Sequence, residues 1–185
     1  MRVYTFPIIF LLAAGMAGCN GNTATTTIFT ITGTSISADS RDGSIALHVP
    51  GREDAKITAT GDLRIAGTSV MATPAQRDLL KRYHTTALLL REHGVATGNA
   101  GIATADKAVS SVMSGLASGN TDNIDREVNA SAAKVEAQAT LVCNDLAELQ
   151  STQNTLATEL PAFQPYAMIK GHEAGACKQE VDYRN

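Results

Sequence analysis

A four-residue motif near the N-terminus, Met16-Ala17-Gly18-Cys19, carries the most specific chemistry in the sequence. The small residues Ala17 and Gly18 let the chain lie extended in a narrow protease groove, and the Cys19 thiol is the nucleophile that accepts a diacylglyceryl group. Met16 stands where leucine is commonest in such a lipobox, and methionine has a similar volume and apolarity. The motif therefore predicts a lipoprotein whose mature chain begins at Cys19 and carries acyl chains such as palmitate.

The residues before this motif have the composition of a secretory signal peptide. Arg2 gives a short positive region, and the apolar segment 3–14 is shorter than the roughly 20 residues that span a bilayer. We expect residues 1–18 to be removed, leaving the protein attached to a membrane through lipid at Cys19. The alternative is an ordinary signal-peptidase cleavage after Ala17, which would release a soluble protein.

A lipid on Cys19 would place the protein in the bacterial cell envelope. Asn20 follows the cysteine, whereas aspartate commonly stands there in lipoproteins of the inner membrane, so we expect an outer-membrane anchor facing the periplasm. Cys143 and Cys177 would then lie in an oxidising compartment, where two cysteines usually form a disulfide. Two separate buried thiols are the alternative.

Length and composition exclude several classes of function. The chain has 185 residues, enough for one domain with a hydrophobic core after loss of a signal peptide. Its formal net charge of −3, its 4% aromatic content and its lack of tryptophan do not suit nucleic-acid binding. There is also no nucleophile elbow, phosphate-binding loop, dinucleotide motif or paired-histidine zinc helix. We therefore predict that the protein is not an enzyme and uses no cofactor.

The histidines and cysteines do not have the spacing of a metal site. His84 and His93 are nine residues apart, so they point to different sides of a predicted helix. Cys143, Cys177 and His172 lack a fourth ligand at a recognisable zinc spacing. No metal ligand and no catalytic residue is predicted.

Alternating β-branched residues between positions 28 and 71 predict four or five short antiparallel strands. The alternation is clearest in segment 44–49. Segment 39–43 contains two aspartates and a glycine, which predicts a hairpin turn and resembles a calcium loop only faintly. Residues 19–27 are predicted to be a polar tether between the lipid and the sheet.

The hydrophobic period changes after the predicted sheet, where a helix begins. Thr73 is a predicted N-cap, Pro74 fits the first helical position and Gln76 completes a capping box. The pattern predicts one helix over 74–117 and a second over 122–160. A short connection between them makes the two helices antiparallel neighbours.

Both helices carry an apolar stripe along one face. The stripe of the first helix comprises Leu79, Leu80, Tyr83, Ala87 and Leu90, and is predicted to resume in register with Ile102, Ala105, Val109, Val112 and Leu116. The seam of the second helix repeats every seven residues at Val128, Val135, Val142, Leu149 and Leu156, and at Ala132, Ala139, Leu146, Gln153 and Leu160. Gly94, Gly98 and Gly101 are predicted to let the second helix approach closely near Ala139 and Val142. A loop at these glycines, giving two shorter helices, is the alternative.

The predicted fold class is α+β, with a small antiparallel β-meander followed by a long antiparallel helical hairpin in a single domain over 28–169. Residues 162–169 either dock on the hairpin or add an edge strand. Residues 170–185 form a polar tail, which a disulfide between Cys143 and Cys177 would fold back along the second helix.

The order of these features resembles the YggN-like family, a domain without assigned activity in Gram-negative envelope proteins. The resemblance lies in GDLRIAG at 61–67, Val70, TPAQRDLL at 73–80, Tyr83 and PAFQPY at 161–166. It implies an exported protein with a small sheet and a helical hairpin, and it supplies no catalytic residues. The lipobox is not a general feature of that family, so the predicted anchor depends on Cys19 alone.

The sequence thus predicts a non-enzymatic envelope lipoprotein. Its helical hairpin is expected to engage a protein partner or a second copy of itself. A small-molecule or lipid ligand held between sheet and hairpin, near Val70, Leu79 and Tyr83, is the alternative.

Overall fold

The computed structural model describes residues 25–118, 124–171, 175 and 177, and it shows an α+β fold with an antiparallel sheet followed by a helical hairpin. The predicted fold class is confirmed. The strands are β1 (Thr25–Ile31), β2 (Thr34–Asp39), β3 (Ile45–His48), β4 (Ala55–Ile57), β5 (Leu63–Ile65) and β6 (Thr68–Ser69). The helices are α1 (Pro74–Ser118) and α2 (Ile124–Glu159), followed by a single 3-10 turn at Gln164–Tyr166.

The six strands pair in sequence order, so the sheet is a simple meander. Two of its connections are two-residue turns with positive φ at both positions, Thr32-Gly33 (47° and 83°) and Ala66-Gly67 (50° and 77°). Turns of this kind match the twist of the flanking strands, which is why short hairpins favour them. They keep successive strands adjacent and leave one face of the sheet free for the helices.

The sheet is larger than the sequence predicts. β2 lies in a serine- and threonine-rich segment that the predicted strands left out, and it pairs with both β1 and β3. β1 begins at Thr25, inside the predicted tether 19–27. Polar residues occupy both strands because their outer faces contact solvent, so composition alone does not distinguish them from loops.

The core lies between the inner face of the sheet, the lower part of the hairpin and the segment after α2. Tyr83 and Phe163 are fully buried and meet edge to face, with ring centroids 5.4 Å apart. The remaining fully buried large apolar side chains surround them: Ile36, Ile45, Leu47, Ile57, Leu63, Leu80, Leu149 and Leu156.

The first turn of α1 has the predicted capping box. The Thr73 amide donates to Gln76 Oε1 at 2.9 Å, and the Gln76 amide donates to Thr73 Oγ1 at 3.3 Å. Gln76 Nε2 also donates to the carbonyl of Glu159 at 2.6 Å, which ties the start of α1 to the last residue of α2. Gln76 therefore both caps α1 and connects the two helices at the base of the hairpin.

α1 continues without interruption through Gly94, Gly98 and Gly101. The predicted close approach of α2 at these glycines is wrong: no described atom outside the local helix lies within 4 Å of the position a Cβ would take at any of the three. The glycines border solvent instead of α2. The segment after α2 docks on the hairpin and forms no strand, with Phe163 and Ile169 buried.

Candidate functional site

We call the part of the hairpin that extends beyond the sheet the upper hairpin. In this part, the face of α1 that contacts α2 consists of polar and small residues. Side-chain hydrogen bonds connect the helices there, among them His93 Nδ1 with Asp145 Oδ2 (2.5 Å), the Thr104 hydroxyl with the Ser131 carbonyl (3.3 Å) and the Ser111 hydroxyl with Glu127 Oε2 (2.8 Å). The His93 and Asp145 side chains are mostly buried, at 23% and 15% exposure. Polar contacts therefore set the register of the upper hairpin.

The apolar stripe in the same part of α1 faces solvent. Val95, Ile102 and Val109 are 55%, 64% and 63% exposed, and Val112 is 46% exposed. We call these four residues the outer stripe. The sequence predicts that Ile102, Val109 and Val112 continue the buried stripe of α1 in register, and the structure shows them exposed instead. The twelve residues from Leu90 to Ile102 make three turns plus about 120°, so Ile102 lies on a different face of α1 from Leu90.

The outer stripe has different borders on its two sides. Glu92 and Asp106 lie three residues before Val95 and Val109, which places both carboxylates along one side of the stripe. Both are exposed, and neither forms an ion pair within the part of the chain that the structure describes. Gly94, Gly101 and Ala108 form the other side. The surface is therefore an apolar row with one acidic border and one border of small residues.

The repeat of the outer stripe is seven residues, the period of a coiled-coil seam. Val95, Ile102 and Val109 occupy one position of the repeat, and Val112 follows Ala105 in the other. From residue 95 to residue 112 the stripe is about 25 Å long at 1.5 Å per residue. α2 contacts α1 on a different face, so this seam has no helix against it among the described residues.

The predicted seam of α2 packs against the rest of the fold. Its lower members Leu149 and Leu156 are fully buried, and Val128, Val135 and Val142 are half-buried. Burial thus decreases from the sheet toward the far end of the hairpin. The upper hairpin is two helices thick and leaves large apolar side chains in solvent.

The structure joins Cys143 and Cys177 in a disulfide, with their Cα atoms 5.5 Å apart. Cys143 is buried on α2, so the bond attaches the chain after residue 171 to the middle of that helix. Gln153 reinforces this attachment lower down through hydrogen bonds with Ile169. The predicted lipidation site Cys19 lies outside the described residues.

The histidines of the described residues form hydrogen bonds within the fold. His84 is buried, and its Nε2 shares a 2.7 Å hydrogen bond with the carbonyl of Gly43, which ties α1 to the β2–β3 turn. His48 Nδ1 pairs with Asp54 Oδ1 at 2.8 Å on the outer face of the sheet. No group of three metal-ligating side chains occurs in the described part of the chain, and His172 lies outside it.

The predicted turn at 39–43 is a compact charged cluster. Asp42 accepts hydrogen bonds from Lys56 Nζ (2.8 Å) and from the hydroxyl (2.6 Å) and amide (3.1 Å) of Ser44. The Lys56 contact, followed by those of Ser44, holds the pKa of Asp42 well below its usual range. The same contact raises the pKa of Lys56. This cluster is an ion-paired turn in which Lys56 contacts both Asp42 and Asp39.

The alternative site between sheet and hairpin is filled by the protein itself. Tyr83 and Leu80 are fully buried there, and Leu79 and Val70 are half-buried at its margin. Arg77 and Arg82 beside them are exposed and pair with Asp62 and Glu148. Because the interface between sheet and hairpin is closely packed, the outer stripe of α1 is the better candidate for a binding surface.

No family model, no curated protein and no solved structure matches this chain. The resemblance to the YggN-like family stays a prediction. None of the described helices has a stretch long and apolar enough to cross a membrane.

Proposed function

We propose that this protein is a non-enzymatic, lipid-anchored protein of the bacterial envelope that binds an amphipathic helix of a partner protein along the outer stripe of α1. The observation that carries the proposal is the exposure of Ile102 and Val109, at 64% and 63%, on a helix face that α2 does not cover. A contiguous row of exposed large apolar side chains marks an interaction surface on a soluble domain.

The period of the outer stripe favours a helix as the occupant. Only another helix keeps its apolar side chains in step with residues that recur every seven positions. β-Branched side chains at Val95, Ile102 and Val109 are typical of one position in a two-stranded seam. The open backbone at Gly98 gives a partner helix room to approach closely.

The charge of the border favours a partner with basic residues beside its apolar row. Glu92 and Asp106 are both acidic and lie on the same side, so lysine or arginine on the partner would complete ion pairs there. An antiparallel second copy would place the two acidic borders side by side, which disfavours that arrangement, and a parallel copy would set each acidic border against glycine and alanine, which supply no cation. We therefore assign the stripe to a different protein.

The lipobox supports the proposed location. Acylation of Cys19 would hold β1, which begins at Thr25, within a few residues of the membrane surface. The resemblance to the YggN-like family supports an exported protein, and the Cys143–Cys177 disulfide suits an oxidising compartment. Intact-mass measurement of the mature chain tests this part, because the wild type should carry a diacylglyceryl group that Cys19→Ala lacks.

Designed peptides test the helix-binding part. Two fluorescent amphipathic peptides of about three heptads share one apolar row and differ only in having lysine or glutamate along its border. We expect the lysine peptide to bind the wild type by fluorescence anisotropy, and the Ile102→Glu/Val109→Glu variant to lose binding. Ala133→Glu, on an exposed position of α2, is the matched control. Equal binding of both peptides, or undiminished binding by the stripe variant, would contradict the proposal.

A further inference from the structure

The outer face of the sheet carries a groove that is separate from the outer stripe. It encloses ≈ 540 Å³ and lies between the β3–β4 connection, which includes Arg52 and Asp54, and the turn Ala66-Gly67. Ala46 lines its floor, and this small side chain leaves space above the strands. A volume of this size falls in the range of small-molecule sites.

Two cationic residues lie side by side on neighbouring strands that line the groove. The strand register places Lys56 of β4 directly opposite Ala46 on one side and Arg64 of β5 on the other. Like charges in directly opposed positions of neighbouring strands destabilise a sheet. The arrangement therefore requires negative charge nearby, from the protein or from a ligand.

The protein supplies that negative charge to Lys56 and not to Arg64. Lys56 Nζ lies 2.8 Å from Asp42 Oδ2 and 3.7 Å from Asp39 Oδ2. Arg64 is exposed and forms no ion pair or side-chain hydrogen bond with any described residue. Its guanidinium lines the groove with its donors available.

The other charges at the rim leave a second guanidinium without a carboxylate. Arg52 forms no ion pair with a described residue, whereas Asp54 is paired with His48 at 2.8 Å. Asp39 is shared between Lys56 and Arg41. The groove thus offers two uncommitted guanidinium groups, and Glu53 is the one carboxylate in its lining without an ion pair.

Both walls of the groove are fixed to the rest of the fold. The Tyr166 hydroxyl donates to the carbonyl of Glu53 at 2.7 Å, and the Ala66 amide donates to the carbonyl of Asp54 at 3.2 Å. The two walls are therefore joined to each other and to the segment after α2. A preformed site of this kind binds without the cost of ordering a loop.

We propose that this groove binds an oxyanion, a carboxylate or phosphate group carried on a larger molecule, with Arg64 as the principal ligand-binding residue and Arg52 as the second. A guanidinium offers parallel N–H donors that match the two oxygens of a carboxylate or phosphate. The groove is larger than a lone anion needs, so the remaining space accommodates the body of the molecule that bears it.

Titration of the full mature chain with sodium phosphate and, separately, with sodium acetate tests the proposal, with amide NMR shifts of Ala46 and Ala66 as the readout and sodium chloride as the salt reference. We expect saturable shifts with at least one of the two anions, and about tenfold weaker binding in Arg64→Gln, the loss typical of one charge-assisted pair. Vesicles of phosphatidylglycerol in phosphatidylcholine, added to Cys19→Ala protein without the acyl anchor, separate a lipid headgroup from a soluble ligand, since only the former gives co-sedimentation that an added Arg64→Gln substitution abolishes.

Arg82→Gln is the matched control, because Arg82 is an exposed arginine of α1 outside the groove. Retained binding in Arg82→Gln together with loss in Arg64→Gln supports the site. Shifts that only follow ionic strength, or that weaken equally in both variants, overturn it. Unchanged circular dichroism of Arg64→Gln ensures that the loss reports the site and not unfolding, and Arg52→Gln provides a second variant from the β3–β4 connection.

Discussion

The side chain of Gln153 replaces a backbone partner for Ile169. Gln153 Nε2 donates to the Ile169 carbonyl at 2.9 Å, and the Ile169 amide donates to Gln153 Oε1 at 3.0 Å. Both residues are buried, at 1% and 3% exposure. A polar residue in the middle of an apolar seam thus satisfies both backbone groups of a segment that is neither helix nor strand.

Removing the Gln153 amide should therefore lower the free energy of unfolding by more than a typical substitution of a surface residue does. We expect Gln153→Ala to lower the free energy of unfolding by about 3 kcal/mol, because it leaves the buried Ile169 amide and carbonyl without partners. Urea denaturation measures the change. Gln150 is the matched control on the same helix: its buried Nε2 has no partner in the described part of the chain, so Gln150→Leu should cost little. Equal losses in the two variants would show that the Ile169 contacts contribute nothing.

Tyr83 presents the opposite situation, a buried hydroxyl without a partner. Its ring is fully buried against Phe163, and its Oη forms no hydrogen bond with any described residue. We expect Tyr83→Phe to raise the free energy of unfolding by about 1 kcal/mol, because the desolvation cost of the hydroxyl disappears. Tyr166→Phe should change stability in the other direction, since the Tyr166 hydroxyl donates to Glu53. A loss of stability in Tyr83→Phe would mean that its hydroxyl has a partner in solution.

Alkaline pH should destabilise the fold through the same residue. Burial raises the pKa of Tyr83 above its ordinary value of 10.0. The unfolded chain therefore loses the phenolic proton above about pH 10 while the folded chain keeps it, so stability is complete below that pH and falls as pH rises toward the folded-state pKa. Urea unfolding at about pH 9 and about pH 11 should show this fall, with a smaller one in Tyr83→Phe. Identical pH dependence in the two proteins would contradict the assignment.

The disulfide should contribute strongly to stability. The chain between Cys143 and Cys177 has a sequence separation of 34, for which the loop-entropy relation gives about 4 kcal/mol. We expect the Cys143→Ala/Cys177→Ala variant to melt at a markedly lower temperature, and the wild type to fall to a similar temperature when reduced. The double variant should not respond to reductant. A wild type whose melting is unaffected by reduction would show that the bond constrains nothing.

Much of the fold follows from local signals in the sequence. The capping box at Thr73 and Gln76 fixed the start of α1 because both hydrogen bonds form within four residues. The seven-residue repeat gave α2 its buried seam, and Leu149 and Leu156 lie fully inside. The disulfide between Cys143 and Cys177 could be predicted because two cysteines in an oxidising compartment usually pair.

Features that depend on tertiary context were missed. β2 follows a turn at Thr32-Gly33, where threonine adopts a positive φ that its β-branched side chain disfavours, so the sequence carries no strong turn signal there. The face of α1 that meets α2 above the sheet is polar and small, and the contacts of His93 and Thr104 set it. Apolar periodicity therefore does not identify the face of α1 that meets α2 in this part of the hairpin.

The groove on the outer face of the sheet could not be found from the sequence either. Lys56 and Arg64 are eight residues apart, and only the register of β4 and β5 places them side by side. The relevant signal was a pair of cations on neighbouring strands whose polar faces both point outward. Recognising this pair of cations requires the register between β4 and β5, and the sequence of the turn between them does not specify that register uniquely.

Site-specific photocrosslinking from Ile102 in the intact envelope tests the central claim most directly. A photoreactive residue at Ile102 should yield a crosslinked peptide from another protein whose sequence is an amphipathic helix with lysine or arginine beside its apolar row. The same probe at Ala133, exposed on α2, should not yield that peptide. Crosslinks from Ile102 to a second copy of this chain, or no more product than from Ala133, would contradict a partner-binding role for the outer stripe.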